Sequence, residues 1–195
     1  MTDDESYTVH VAACPVTPSL AEQIVGLAEH PWDWEIPVAA MRRLGWREND
    51  DLPLEETLVT PEGHLADIED HFALSFAFFY QVGGVDWGED FWGTLPGWSS
   101  HENAGRDVFD RQVDHAIAVF TEHLGAPERD ISSEGGTPAM GRGNWRHAAW
   151  RRGSNLLVVG PRHEGLSYSR FEEVVVCVGS VDPMAELPDL REFIG

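Results

Sequence analysis

The stretch GHLADIEDHFALSFAFFYQV, residues 63–82, constrains the fold more than any other part of the chain. Ala66, Ile68, Phe72, Leu74, Phe76, Phe78 and Tyr80 occupy even positions, whereas Asp67, Glu69, His71, Ser75 and Gln81 are odd. Successive side chains of a strand point to opposite faces, so this alternation predicts β-structure with one buried face. A single strand over 65–82 would run roughly 55–60 Å at about 3.3 Å per residue, too long for a domain of this size. A bulge or tight turn near Glu69–Asp70 is expected to divide it. On either division Asp67, Glu69 and His71 point away from the core.

Around this segment the chain reads as short strands and a few helices. YTVHVAA (7–13) predicts a strand, preceded by a disordered acidic tail over 1–6. In PSLAEQIVGLAEH, Leu20, Ile24 and Leu27 fall at helical spacing, with Ser19 as N-cap and Glu22 in capping-box position. A second short helix is expected over 36–44, with Pro37 in its first turn and Gly45 ending it. One long central helix, about 103–124, carries the stripe Phe109, Val113, Ile117, Phe120 and Leu124, and Gly125 and Pro127 stop it. SSEGGTPAMGRGN reads as a glycine-rich loop. WRHAAWRR, NLLVVGP and FEEVVVCVG follow as three strands, the first two joined at Gly153–Ser154, and a short helix closes the chain. Helices and strands alternate too little for a doubly wound sheet. The expected class is α+β, mainly antiparallel meanders covered by a few helices, with 7–195 as one domain.

Charge narrows the function. The 195 residues carry 34 acids against 13 bases, a formal −21, and every base is arginine. Such an excess repels nucleic acid and anionic membrane and speeds encounter with basic partners. It is also polarised: residues 48–90 hold twelve acids and no arginine, while Arg142–Arg170 hold six arginines and one acid. The basic ribbon is therefore a potential internal counter-ion for part of the acidic block. The N-terminus carries acids where a signal peptide needs bases, and no apolar run approaches a membrane span, so a cytoplasmic location is expected. Cys14 and Cys177 are isolated thiols, read as reduced core residues.

No motif fixes a chemistry. His64, Asp67 and His71 are the weak candidates for a metal, but their spacing matches no established ligand pattern, and HExxH and the EF-hand ladder are absent. EGGTPAMGRGN lacks the Lys-Ser/Thr ending of a phosphate loop, and GxSxG is missing. The expectation is a protein without catalytic residues or cofactor. Eight tryptophans are many for this length, and Trp87, Trp92 and Trp98 share one loop with Asp86, Glu89 and Asp90. Such tryptophans either fold back to cap the core or anchor a partner, with carboxylates around them taking its arginines and lysines.

The AAMRRLGW helix end, the acidic middle and the C-terminal W…R…NLLVVG…VVVCVG hairpins together resemble small acidic actinobacterial proteins encoded beside secreted polymorphic toxins, some of them immunity proteins. The likeness spans about residues 18–180 and carries over no functional residue. It implies a non-enzymatic protein, monomeric or homodimeric, that covers a basic partner such as a toxin. Asp67, Glu69, Asp86, Glu89 and Asp90 are then the charged contacts, with Trp87 and Trp92 as anchors. A secretion-chaperone-like adaptor is the alternative, and a small metal-dependent enzyme using the His64–His71 cluster is a third.

Overall fold

The computed structural model describes residues 7–32, 35–49, 57–68, 71–83, 92–137, 140–163 and 171–195. The expected acidic tail over 1–6 lies outside them. Among the described residues, ten strands form one antiparallel sheet and four helices cover it. The α+β class read from the sequence is the class of the fold.

In chain order the elements are β1 (Tyr7–Ala13), α1 (Pro18–Ala28), α2 (Glu35–Arg43), β2 (Arg47–Glu48), β3 (Thr57–Val59), β4 (Leu65–Ile68) and β5 (Phe72–Gly83). A 3-10 turn at Trp92–Thr94 precedes β6 (Ser99–Glu102) and α3 (Arg106–Leu124). Then come β7 (Arg129–Gly135), β8 (Gly143–Arg152), β9 (Asn155–His163), β10 (Glu172–Ser180) and α4 (Leu190–Ile194). The strand order is β2-β3-β4-β5-β10-β9-β8-β7, with β1 and β6 branching from β5. One edge of β5 is shared: its first residues pair with β4 (Leu65↔Ser75) and its later ones with β1 (Ala13↔Ala77). The opposite edge pairs with β10 from Phe72 to Phe79.

The turn expected near Glu69–Asp70 falls where β4 reverses into β5, with Ile68 opposite Phe72. The single buried face is a different matter. Every residue of β5 from Phe72 to Tyr80 is buried, because both faces of the sheet are covered. Opposite β10 the register slips between Val174↔Ala77 and Val175↔Ser75, leaving Phe76 as an extra residue. A bulge of this kind reverses side-chain parity beyond it. Phe72, Leu74 and Phe76 therefore join Ala77 and Phe79 against the helices, while Phe78 and Tyr80 turn to the other face.

The helix-covered face holds the main core, where α1 contributes Leu20, Ile24 and Leu27 and α3 contributes Phe109, Val113, Ile117 and Phe120. Burying each such side chain is worth roughly 1.5–3 kcal/mol. The cap of α1 is Thr17, not Ser19: its hydroxyl accepts the Leu20 N–H at 3.1 Å, with Pro18 as first helical residue. On the other face, Trp92 and Trp98 cover Phe78 and Tyr80, and α4 covers Val158, Val175 and Cys177 with Leu190 and Ile194. The first four residues of the expected glycine-rich loop, Ser132–Gly135, in fact belong to β7, an edge strand whose mixed polar composition hides it.

Candidate functional site

The fate of the arginines decides whether the acidic block keeps its charge. Arg142 pairs with Glu134, Arg146 with both Asp114 and Asp130, Arg151 with Glu128, and Arg162 with Glu173. All these acids belong to α3, β7, β10 or the turn before β7, and none to residues 48–90. Arg146 bridges two carboxylates and holds the Asp130 carboxyl below the usual carboxylate range. Four of the ribbon's arginines thus spend their charge on acids outside residues 48–90.

Of the twelve acids in 48–90, Glu48, Glu62 and Asp67 are among the described residues. Glu48 meets Arg42 at 2.5 Å on the surface. Glu62 Oε1 accepts the Thr17 hydroxyl at 2.9 Å, and Oε2 lies 3.7 Å from His64 Nδ1. Asp67 is exposed on β4 and forms no ion pair or hydrogen bond with a described residue, although its field reaches Arg162. The contacts expected at Glu69, Asp86, Trp87, Glu89 and Asp90 lie outside the described residues. Trp92 takes the capping role: it is 9% exposed and stacks on Phe78 with ring centroids 3.9 Å apart.

The weak metal candidates are not assembled. His64 is fully buried, Asp67 is exposed and His71 sits half-buried at the turn into β5. No group of three His, Cys, Asp or Glu side chains among the described residues is placed to hold a metal ion. His64 Nε2 lies 3.3 Å from the Pro15 carbonyl, which only accepts, so Nε2 carries the proton. Nδ1 then accepts from the Thr60 hydroxyl at 3.1 Å, while Thr60 Oγ1 takes the His64 backbone N–H. Burial holds this imidazole below the ordinary histidine range despite Glu62. Burial also pushes the neighbouring Cys14 thiol up to about 12, which leaves it protonated and a poor nucleophile.

Beside His64 the structure forms a cleft of about 280 Å³ that sequence reasoning missed. It opens in the notch where β4 and β1 part along β5. Arg47, Val59 and Leu65 stand directly opposite one another across β2, β3 and β4, so they share one face and form its floor. The walls are two turns, Pro61–Gly63 and Leu95–Gly97. Their backbones cross: a Cβ on Gly63 would strike the Pro96 carbonyl, and one on Gly97 the Glu62 carbonyl. Both glycines have positive φ, and Trp98 Nε1 clasps the Gly63 carbonyl at 2.8 Å. The Pro-Glu-Gly and Pro-Gly sequences mark these turns, but nothing local says that they meet.

A second feature absent from the sequence reading is a buried carboxylate. Glu172, fully buried at the start of β10, accepts Arg106 Nη1 and Nη2 at 2.6 Å each, Trp145 Nε1 at 2.9 Å and the Thr137 N–H at 3.0 Å. Arg106 is the first residue of α3, where a cation opposes the helix dipole, and Glu172 offsets it. The guanidinium also lies over the rings of Phe79 and Phe109. With every strong donor around it satisfied, this group fastens α3 to the sheet and offers nothing to a substrate.

Comparison with protein-family models, curated proteins and solved structures finds no match.

Proposed function

We propose that the chain is a non-enzymatic, cytoplasmic binding protein that covers a basic surface of a partner protein, as an immunity protein covers a toxin. One observation supports the reading: Arg142, Arg146, Arg151 and Arg162 are bound to acids outside residues 48–90, and Asp67 faces outward with no ion pair to a described residue. A negative face of this kind speeds association with a positive one and penalises nucleic acid. A chaperone would need a contiguous apolar groove. Among the described residues the exposed large apolar side chains are Tyr7 on β1, Leu44 in the turn after α2 and Met184 in the turn after β10, far apart in the chain, which favours the charged-face reading. No helix among the described residues is long and apolar enough to cross a membrane.

The test is titration calorimetry against a small cationic protein, cytochrome c, over a series of salt concentrations. Asp67→Lys with Glu69→Lys should weaken binding and flatten its salt dependence. Glu29→Lys with Glu122→Lys makes the same change in net charge on the helices and should do much less. Equal losses from both pairs, or from neither, refute the assigned face.

A further inference from the structure

We propose that residues 182–195 form an acid-released strap: a proton on the buried His147 frees α4 and the turn before it and uncovers an apolar face of the sheet. Three neighbouring strands each hold the strap by one arginine. Arg129 on β7 donates to the Leu187 and Pro188 carbonyls at 3.3 and 3.1 Å, Arg151 on β8 to those of Asp182 and Ala185 at 3.0 and 2.5 Å, and Arg162 on β9 to that of Ile194 at 2.8 Å. Residues 182–189 lie in no strand, and 182–186 are exposed. Helix α4 has five residues, against the roughly 12–15 that an isolated helix needs, so it stands only by burying Leu190 and Ile194. An element held by side-chain clamps and a short helix opens before the laddered strands beneath it.

His147 sits fully buried on the face that the strap covers: Ile131 opposite it and Ala149 two residues along both pack with Leu190 and Ile194. Its Nε2 donates to the Pro161 carbonyl at 2.9 Å, so Nδ1 is the bare nitrogen of a neutral ring, and it makes no hydrogen bond with a described residue. The ring lies against Gly160, where a Cβ would overlap it, and has no room to turn. A proton on Nδ1 is therefore a buried donor without an acceptor. Burial opposes that proton most, the Pro161 carbonyl favours it, Arg191 of α4 opposes it and Asp189 favours it. Strand β9 adds His163, across the Trp145 ring, and Arg162, paired with Glu173 of β10. Strand β7 adds the apolar Ile131, and Arg129, which is turned to the strap's carbonyls. Lifting α4 removes Arg191 and lets water reach Nδ1. The open form thus binds a proton that the closed form refuses, and falling pH favours opening.

Cys177, fully buried in the same cluster as Leu190 and Ile194, reports the opening. Its reaction with dithiodipyridine in the full chain is followed by mass mapping of the labelled peptide. A histidine that titrates near 6.5 only in the open form multiplies the opening equilibrium about tenfold between pH 7.5 and 5.5. Cys177 should therefore react about tenfold faster at pH 5.5, once corrected for the reactivity of a free cysteine at each pH. Small additions of urea should change that rate little, because local opening exposes little surface. His147→Gln keeps an N–H for the Pro161 carbonyl and takes up no proton, so the acceleration should vanish. Arg129→Ala should raise the rate at both pH values. No acceleration in the parent, an acceleration retained in His147→Gln, or a rate that climbs with urea as steeply as global unfolding overturns the proposal. Should His147→Gln fail to fold, Arg129→Ala decides: a Cys177 as protected as in the parent overturns the strap.

Discussion

The Glu172 network invites the most demanding prediction, because four donors converge on one fully buried carboxylate. In Glu172→Gln one amide oxygen must serve a site built for two, and the new N–H groups face other donors. Removing one partner of a buried ion pair costs about 3–5 kcal/mol, a large part of a total stability of roughly 5–15 kcal/mol. At about 2–4 °C per kcal/mol for a chain of this length, the melting temperature should fall by about 6–20 °C. Urea unfolding followed by circular dichroism would read the loss as a lower midpoint. The double variant Arg106→Met with Glu172→Met sharpens the test. Exchanging a simple buried pair for apolar side chains is often neutral or stabilising. Here Trp145 Nε1 and the Thr137 N–H would still be orphaned, at about 1–3 kcal/mol each, so the double variant should remain destabilised. Glu48→Gln, in the exposed pair with Arg42, should cost less than about 1 kcal/mol. A Glu172→Gln protein within about 1 kcal/mol of the parent, or a double variant as stable as the parent, would refute the reasoning.

Other outcomes follow from the same geometry. Thr17→Ala should lose about 1 kcal/mol through the cap of α1, whereas Ser19→Ala should be near neutral, both read from urea midpoints. Gly63→Ala places a side chain at positive φ against the Pro96 carbonyl and should cost more than the roughly 1–2 kcal/mol of the backbone conformation alone; a stable variant would contradict the crossed turns. Burial lowers the affinity of His64 and His147 for protons in the folded state, while the unfolded chain protonates them near 6.5. The unfolded form therefore binds more protons below that pH, so this part of the stability is present above about 6.5 and lost as pH falls. The urea midpoint should drop between pH 7.5 and 5.5, a window above the carboxylate range, and an unchanged midpoint would count against neutral buried imidazoles.

What the sequence disclosed depended on how much of each signal was local. Helix α3 was legible because Phe109, Val113, Ile117 and Phe120 repeat at helical spacing and Gly125 stops the helix, all within one segment. The parity of β5 was legible only as far as Phe76, because the bulge there is a relation to β10, about a hundred residues away. Strand β7 escaped notice because both its faces are partly wet and RDISSEG carries no apolar alternation. Of the candidate site, exposure of Asp67 followed from period two, but burial of Trp92 depended on Phe78 turning to meet it. Composition alone left open where the arginines would spend their charge; the partners of Arg142, Arg146, Arg151 and Arg162 come from the strand order.

The place of β10 in the sheet has a consequence for synthesis. It lies between β5 and β9, so the edge of the most apolar strand stays unpaired until residue 180 has been made. At translation rates of roughly 5–20 residues per second, the 97 positions from Gly83 to Ser180 take about 5–20 s. Throughout that interval FALSFAFFY offers backbone hydrogen bonds and aromatic rings to any neighbouring nascent chain. The dense negative charge flanking it on the ribosome-bound polypeptide is then a safeguard against self-association, acting before the native state exists.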